Sequence, residues 1–429
     1  MTQDQSVRVD DLGTTAAAEL EIGAGKRNSI VLTVFTAVTN LADGVTKIVL
    51  PLMATQLTTS PALVAGVAVT LTLPWLLVAL HVGVLVDRFD RRMLLWIADA
   101  VRTASVLVLA ALFLAGSLTL PILFACGLLL GVAEVVALTS AVAIIPAAVP
   151  ESLRERTNAW ITGAETVCNE FIGPMVGGLL IAVGSALALG ATAVAYVGGA
   201  VLLVLMVGRF RPKSAGIDGP RKVNRQIAEG MGFLWRQPVL RFMAMALTVL
   251  CSCWGAWLAL MPLVATEVMH ASSREYGVIL SMLGVGGVVG ALTVGLVNRL
   301  LGRRWALFSD LLGTLAMVAV PAVTTNVYAV SAGAFLGGMG GVLWSVNART
   351  ISQSLVPDHL MGRYSAAARL FSWGAIPVGA AVAGGVAQFF GLQAAFWVFA
   401  VLTALLIAPF LLIMRPGLIP AQFGSSSAR

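Results

Sequence analysis

Two apolar runs, Ala62 to Val86 and Met93 to Gly116, are separated by nothing but Asp87-Arg88-Phe89-Asp90-Arg91-Arg92. An α-helix rises about 1.5 Å per residue, so each run is long enough to cross the ~30 Å hydrocarbon core of a bilayer. Unpaired backbone is costly in hydrocarbon, so a helical hairpin is the natural way to pass out and back over so short a loop. The pattern continues along the chain and predicts spans at about 28–55, 62–86, 93–116, 119–148, 158–183, 188–208, 239–264, 275–297, 304–324, 327–354, 364–390 and 392–414. With 59% hydrophobic and 11% charged residues over 429 positions, no arrangement of soluble domains fits. The expected fold is an all-α polytopic membrane protein with twelve transmembrane helices.

Charge orients that bundle. A formal net charge of +7 would suit nucleic acid if it were gathered in one patch, but the Lys and Arg residues follow the loops. With both termini inside, 22 of the 27 lie on the cytoplasmic face, Arg274 alone lies outside, and Lys47, Arg102, Arg349 and Arg369 fall within spans. The positive-inside bias then predicts a multi-pass protein of the cytoplasmic membrane, both termini cytoplasmic, whose partner is the lipid bilayer and not nucleic acid. Asp4, Asp10, Asp11, Glu19 and Glu21 occupy the place where a signal peptide would be apolar, so residues 1–27 read as a disordered cytoplasmic tail. Cys126, Cys168, Cys251 and Cys253 lie in apolar runs, and His81, His270 and His359 are scattered. Neither a disulfide framework nor a metal site is expected.

The chain divides into a tail (1–27), a first six-helix bundle (28–208), a polar linker (209–238), a second six-helix bundle (239–414) and a C-terminal tail (415–429). Within the linker, Ile227 to Trp235 read as an amphipathic helix on the membrane surface. An internal repeat supports two related halves. Val149-Pro150-Glu151-x-Leu153-x-x-Arg156 returns as Val356-Pro357-Asp358-x-Leu360-x-x-Arg363, 207 positions later. Gly83, Arg91 and Arg92 return as Gly295, Arg303 and Arg304, 212 positions later. The second copy has Asn298 and Arg299 where the first has Val86 and Asp87, so the halves are expected to lock asymmetrically.

The stretch Gly83-Val84-Leu85-Val86-Asp87-Arg88-Phe89-Asp90-Arg91-Arg92 resembles the loop signature of the major facilitator superfamily of secondary transporters, with Asp90 where that family has glycine. The resemblance implies a fold of two pseudo-symmetric six-helix bundles and a cytoplasmic latch made of Gly83, Asp87, Arg88, Arg91 and Arg92. Asp99 and Arg102 would brace it, and Arg363 would answer it from the second half. Glycine at 83 would admit a neighbouring helix, and the partial positive charge at the start of the eleventh helix would attract Asp87. Gly173-Pro174-Met175-Val176-Gly177-Gly178 is similar to the motif of exporting antiporters of the superfamily, although Trp160 and Asn169 stand in place of its upstream glycines. Physically, Pro174 removes a donor and bends the helix, while Gly173, Gly177 and Gly178 permit close packing. Leu50-Pro51, Ser60-Pro61, Leu73-Pro74 and the run from Arg91 to Arg102 resemble the subgroup holding the enterobactin exporter, macrolide efflux proteins and Tap-type multidrug pumps. That resemblance implies outward transport of amphiphilic small molecules coupled to proton entry, with the proton as coupling ion and no other cofactor.

Four acids are candidates for the proton. Asn40, Asp43 and Lys47 recur at intervals of three and four, which predicts one inward stripe with Asp43 paired to Lys47. Glu134 sits near mid-membrane with no base within a turn, a costly position unless it is protonated or paired. Glu165 and Glu170 are five residues apart, ~140° around an α-helix, so one should line the cavity and the other brace a neighbouring helix, either assignment fitting the spacing. For the solute, Asn40, Trp254, Trp257, Trp344 and Asn347 are candidates, since aromatic pairs near an acid suit amphiphilic cations, and tryptophans equally pack between helices. Arg349 and Arg369 would meet an anionic solute or neutralise acids across the bundle. There is no phosphate-binding Gly-x-x-x-x-Gly-Lys-Ser/Thr stretch and no nucleophile with its base, so neither a primary pump nor an enzyme is expected. The expected activity is proton-coupled efflux by alternating access, working as a monomer. An importer or uniporter of a nutrient shares the fold, and a non-transporting receptor or scaffold is the rival of another class. Buried Glu134, Glu165 and Glu170 speak against the scaffold, because unused acids in lipid are costly.

Overall fold

The computed structural model describes residues 3–86, 88–208, 210 and 220–414, and the side chains of all these except 3–22, 80, 84, 220–227, 273, 358–359, 362–363 and 365–366. The first span belongs to α1, Gln3–Thr55, a single helix. The expected disordered tail is thus helical, which fits the good helix formers at Ala16-Ala17-Ala18-Glu19-Leu20-Glu21 and the lack of proline before Pro51. The second span is two pieces, α2 (Pro61–Leu77) and α3 (Ala79–Val86), parted at Val78 one turn after Pro74. Next come α4 (Arg91–Leu114), α5 (Leu120–Ala143) and the short α6 (Ile145–Ala148). Asp90 caps α4, accepting from the backbone N–H groups of Arg92 and Met93 at 3.0 and 3.3 Å. The departure from the resembled signature therefore has a local structural role.

The fifth span joins α7 (Glu151–Ala164) to α8 (Gly173–Val183) through a π-helical stretch, Glu165–Ile172. Pro174 has no N–H and its ring excludes the carbonyl four residues back, so the winding loosens ahead of it, with Gly173 N–H donating to the Cys168 carbonyl. The sixth span is α9, Ser185–Leu202. The linker supplies α10 (Pro220–Arg236), and the seventh span is α11 (Pro238–Leu263), which loosens into a π turn, Val264–Val268, after Pro262. Then follow α12 (Ser273–Leu300), α13 (Gly302–Val323) and α14 (Val327–Leu355). The eleventh span is α15 (Asp358–Ser372) with α16 (Ala375–Phe390), and the twelfth is α17 (Leu392–Leu405) with α18 (Ile407–Ile413). Among the described residues, 11 helices are long and apolar enough to cross a membrane, and α2 with α3 supplies the twelfth span.

The repeat read from the sequence has a structural counterpart. Val149 and Val356 are both extended (ψ 130° and 124°), and each is followed by a proline that opens a helix, Pro150 and Pro357 (φ −56° and −59°). Arg92 donates to the carbonyls of Met206 and Val204, both at 3.2 Å, at the end of the sixth span. Arg304 donates to that of Leu411 at 3.4 Å, at the end of the twelfth. Each guanidinium also lies over its own half's tryptophan, Trp96 at 5.0 Å and Trp305 at 5.1 Å. A cation on the last carbonyls of a helix is favourable in itself.

This changes the reading of the latch. Arg92 is tied within its own half, Arg88 is exposed, and the Nε of Arg91 has no hydrogen-bond partner. Among the described residues, a Cβ built on Gly83, or on its counterpart Gly295, meets nothing within 4 Å. Asp87 and the side chain of Arg363 lie outside the described residues. The physical reason for Gly83 is that the halves meet at the other end of the bundle. There α8 packs on α12, and α2 packs on α16 and α11. A Cβ on Gly178 would lie 3.0 Å from Gly277 Cα, and Ser60 Oγ is 2.7 Å from Gln388 Oε1. At the end bearing the chain termini, α15 packs instead on α10. The linker helix is thus docked on the second half through Leu234, which is buried, and Trp235, edge-on to Phe371 at 6.1 Å.

Candidate functional site

Three helices of the first half converge on one buried guanidinium. Arg102 of α4 donates to Asp43 Oδ2 of α1 at 2.7 Å and to Asp99 Oδ1, one turn back, at 3.1 Å. Tyr196 of α9 donates to the other Asp43 oxygen at 2.8 Å and lays its ring 5.3 Å from the guanidinium. Asp99 and Arg102 are fully buried, so they belong to the interior of the bundle and do not brace a surface loop.

Beside this cluster lies a second one. Lys47 donates to Glu134 Oε1 of α5 at 3.0 Å and to Asn169 Oδ1 of the π stretch at 2.8 Å. Asn169 in turn donates to Glu134 Oε1 at 2.9 Å and to Asn40 Oδ1 at 3.1 Å. Two expectations are corrected. Asp43 pairs with Arg102 and not with Lys47, and Glu134 has a cation after all, supplied from α1. Asn40 and Lys47 are seven residues apart and face the same way, whereas Asp43 is turned ~60° from Asn40, enough to aim it at α4 and α9.

The π stretch is what brings Asn169 into that cluster. Its backbone passes so close to α1 that a Cβ on Gly44 would lie 2.5 Å from the Asn169 carbonyl, and one on Gly173 would lie 2.7 Å from Gly44 Cα. Gly177 faces Val45 of α1, and Gly178 faces Gly277 of the other half. The π winding changes the angle between Glu165 and Glu170 from the ~140° of an α-helix, and one of the two lines the cavity as expected. Glu170 lines the central cavity. Glu165 is half-buried and within the electrostatic reach of Arg369 and Arg349.

The cavity, about 610 Å³, lies between the halves and extends to the end where the chain termini lie, its lining reaching Gln353, Met361 and Tyr364. That size accommodates a drug-sized solute. Of the residues named for the solute, Trp254 and Trp344 line it. Trp257 is fully buried, Asn347 donates to its own helix at Leu343 (2.8 Å), and Asn40 is held by Asn169, so these three are packing residues. Arg349 and Arg369 both line the cavity.

Sequence reasoning missed Trp75 and Trp373, whose rings stack at 4.7 Å across the two halves, with the Lys47 ammonium 5.7 Å over Trp373. It also missed Asp310 of α13, 2% exposed and on the cavity wall. A signal for it existed, because Asp310 stands 211 positions after Asp99, within one residue of the offset that relates the two loops. Among the described residues no group of three or more His, Cys, Asp and Glu is placed to hold a metal ion.

The model of the Major Facilitator Superfamily matches residues 32–372 and, in a second match, 254–426. The multidrug efflux pump Tap of Mycolicibacterium fortuitum is 27% identical over 384 residues, 86% of this chain and 92% of that protein. Tap of Mycobacterium tuberculosis is 29% identical over 370 residues, 82% of this chain and 85% of the relative. Among solved structures, a bacterial homologue of the iron transporter ferroportin in an inward-facing state superposes with a TM-score of 0.66 at 16% identity, covering 90% of this chain and 98% of that one.

Proposed function

The chain belongs to the Major Facilitator Superfamily and is a multi-pass membrane transporter, and from that premise we propose that it exports amphiphilic small molecules, drugs among them, in exchange for protons. It does so by alternating access in the cytoplasmic membrane, as a monomer with both termini inside. The resemblance to Tap pumps over most of the chain supports the direction and the solute class, and the Lys and Arg asymmetry supports the orientation.

Proton coupling rests on one observation, a surplus of acid over base beside the cavity. Asp43, Asp99 and Glu134 share two cations, Arg102 and Lys47. Glu170, on the cavity wall, has no hydrogen bond or ion pair among the described residues. A surplus carboxylate in so dry a place is neutralised by a proton or by a cation that takes its place. Glu170 is therefore the exchange group, holding a proton when the cavity is empty and a cationic solute when it is occupied. Glu134 and Lys47 transmit its charge state to α1 through Asn169. One charge moving through 100 mV is worth ~2.3 kcal/mol, enough to drive a solute uphill about fortyfold to fiftyfold.

The test is transport in proteoliposomes with an imposed pH gradient and a fluorescent amphiphilic cation. Wild type should move dye against its gradient only while the proton gradient lasts, and Glu170→Gln, which copies the protonated state, should bind the cationic dye weakly and not respond to that gradient. Vesicles that move no dye under any imposed ion gradient would remove the proposal, and dye movement in the same direction as the protons would favour an importer.

A further inference from the structure

We infer that the cavity is shaped for a zwitterionic amphiphile, with its cationic end deep between Glu170 and Asp310 and its anionic end on the mouth side of them between Arg349 and Arg369. This rests on the export reading above and names the solute more narrowly.

The four charges are ordered along the cavity. Asp310 is level with Gly340 of α14, where a Cβ would lie 2.7 Å from the Asp310 Cα. Arg349 is nine residues further along the same helix toward its mouth-side end at Leu355, about 14 Å away at 1.5 Å per residue. Glu170 is also deep, since the adjacent Phe171 packs on Gly284 and Gly287 of α12 and stands edge-on to Trp254 at 6.3 Å. Cys251 of α11 lies within the electrostatic reach of both acids. Arg369 is eleven residues into α15 from its mouth-side start at Asp358, about 16 Å, and so lies between the levels of Arg349 and Asp310.

None of the four has an ion-pair partner among the described residues, and the one hydrogen bond made by any of these side chains is Thr314 to Asp310, at 3.2 Å. Arginines that served to neutralise these acids would sit at ion-pair distance, as Lys47 and Arg102 do with theirs. They sit instead on the mouth side of the acids, Arg349 about 14 Å from the level of Asp310 and Arg369 between the two levels, within electrostatic reach of Glu165. A pure cation would have to pass two guanidiniums to enter, and a pure anion would stop short of the two carboxylates. A solute with both charges satisfies both ends, and Trp254, Trp344 and Trp373 flank its apolar middle.

The test uses two dyes that differ by one ester in the same proteoliposomes: rhodamine B, a zwitterion through its free benzoate, and its ethyl ester, a cation. Arg349→Gln with Arg369→Gln should slow gradient-driven transport of rhodamine B about tenfold or more. The ester should lose far less than rhodamine B does, and elution of the variant as the parent does shows that it is folded. Replacing both arginines by lysine should restore much of the rhodamine B rate, and Asp310→Asn should slow both dyes. Equal slowing of the two dyes by the arginine variant, no slowing of either, or a wild type that moves the ester alone would each overturn the inference and leave export standing. Vesicles that move neither dye would overturn the export reading and the inference with it.

Discussion

Gly178 is the place where one methyl group should tip the transporter from one state to the other. A Cβ there would lie 3.0 Å from both Cα and O of Gly277 and 3.2 Å from Leu280 Cβ, and all three atoms belong to the other half. Carbon atoms pack best at about 3.5–4.0 Å, so Gly178→Ala already requires α8 and α12 to part by some tenths of an ångström, and Gly178→Leu requires far more. Overpacking of a close interface costs about 1–3 kcal/mol, which corresponds to about a 5- to 150-fold change in a two-state equilibrium. This contact closes the cavity on the side away from the termini. The penalty is relieved when the halves part there, so the substitution should drain the population open toward the termini. The assay places a single cysteine at Gln353, exposed at the cavity mouth, in a background free of Cys126, Cys168, Cys251 and Cys253, and follows its labelling by a membrane-impermeant maleimide. Labelling should slow in proportion to the lost open fraction, strongly in Gly178→Leu and only slightly in Gly178→Ala. If both variants elute as the parent does and label at the parental rate, then the Gly178–Gly277 contact does not gate the cavity.

Three further outcomes follow from the ion network and the helix caps. Arg102→Met strips the cation from Asp43 and Asp99 and should cost about 3–5 kcal/mol in SDS-induced unfolding, with most of the loss recovered when Asp43→Asn and Asp99→Asn are added. A single variant as stable as wild type would mean that the pairing has little weight. Glu134→Gln should leave the protein folded, since Lys47 keeps its bond to Asn169, but should uncouple dye transport from the pH gradient, and full coupling in that variant would remove Glu134 from the relay. Asp90→Ala should weaken the first turn of α4 by about 1 kcal/mol, read as faster amide hydrogen exchange at Arg92 and Met93 with transport unchanged, and unaltered exchange there would contradict the cap.

Twelve spans, two related halves and a break in regular winding at Pro174 were legible because hydropathy, the Val-Pro-acid repeat and proline chemistry are properties of short stretches. The meaning of Asp90 was not legible: the sequence marked only a departure from glycine, and the structure made it the cap of α4. Nor was the pairing of charges. Lys47 is four residues from Asp43 yet bonds Glu134, 87 residues away, and Arg102 reaches Asp43 across 59. Those choices depend on how each helix is rotated about its axis and on how closely Gly44 and Gly173 let α1 meet the π stretch. Spacing along one helix carries neither quantity, so Glu165 and Glu170 received their places only from the loosened winding ahead of Pro174. In the same way, Glu170 of the first half comes to share one cavity wall with Asp310, Arg349 and Arg369 of the second only once the two bundles face each other.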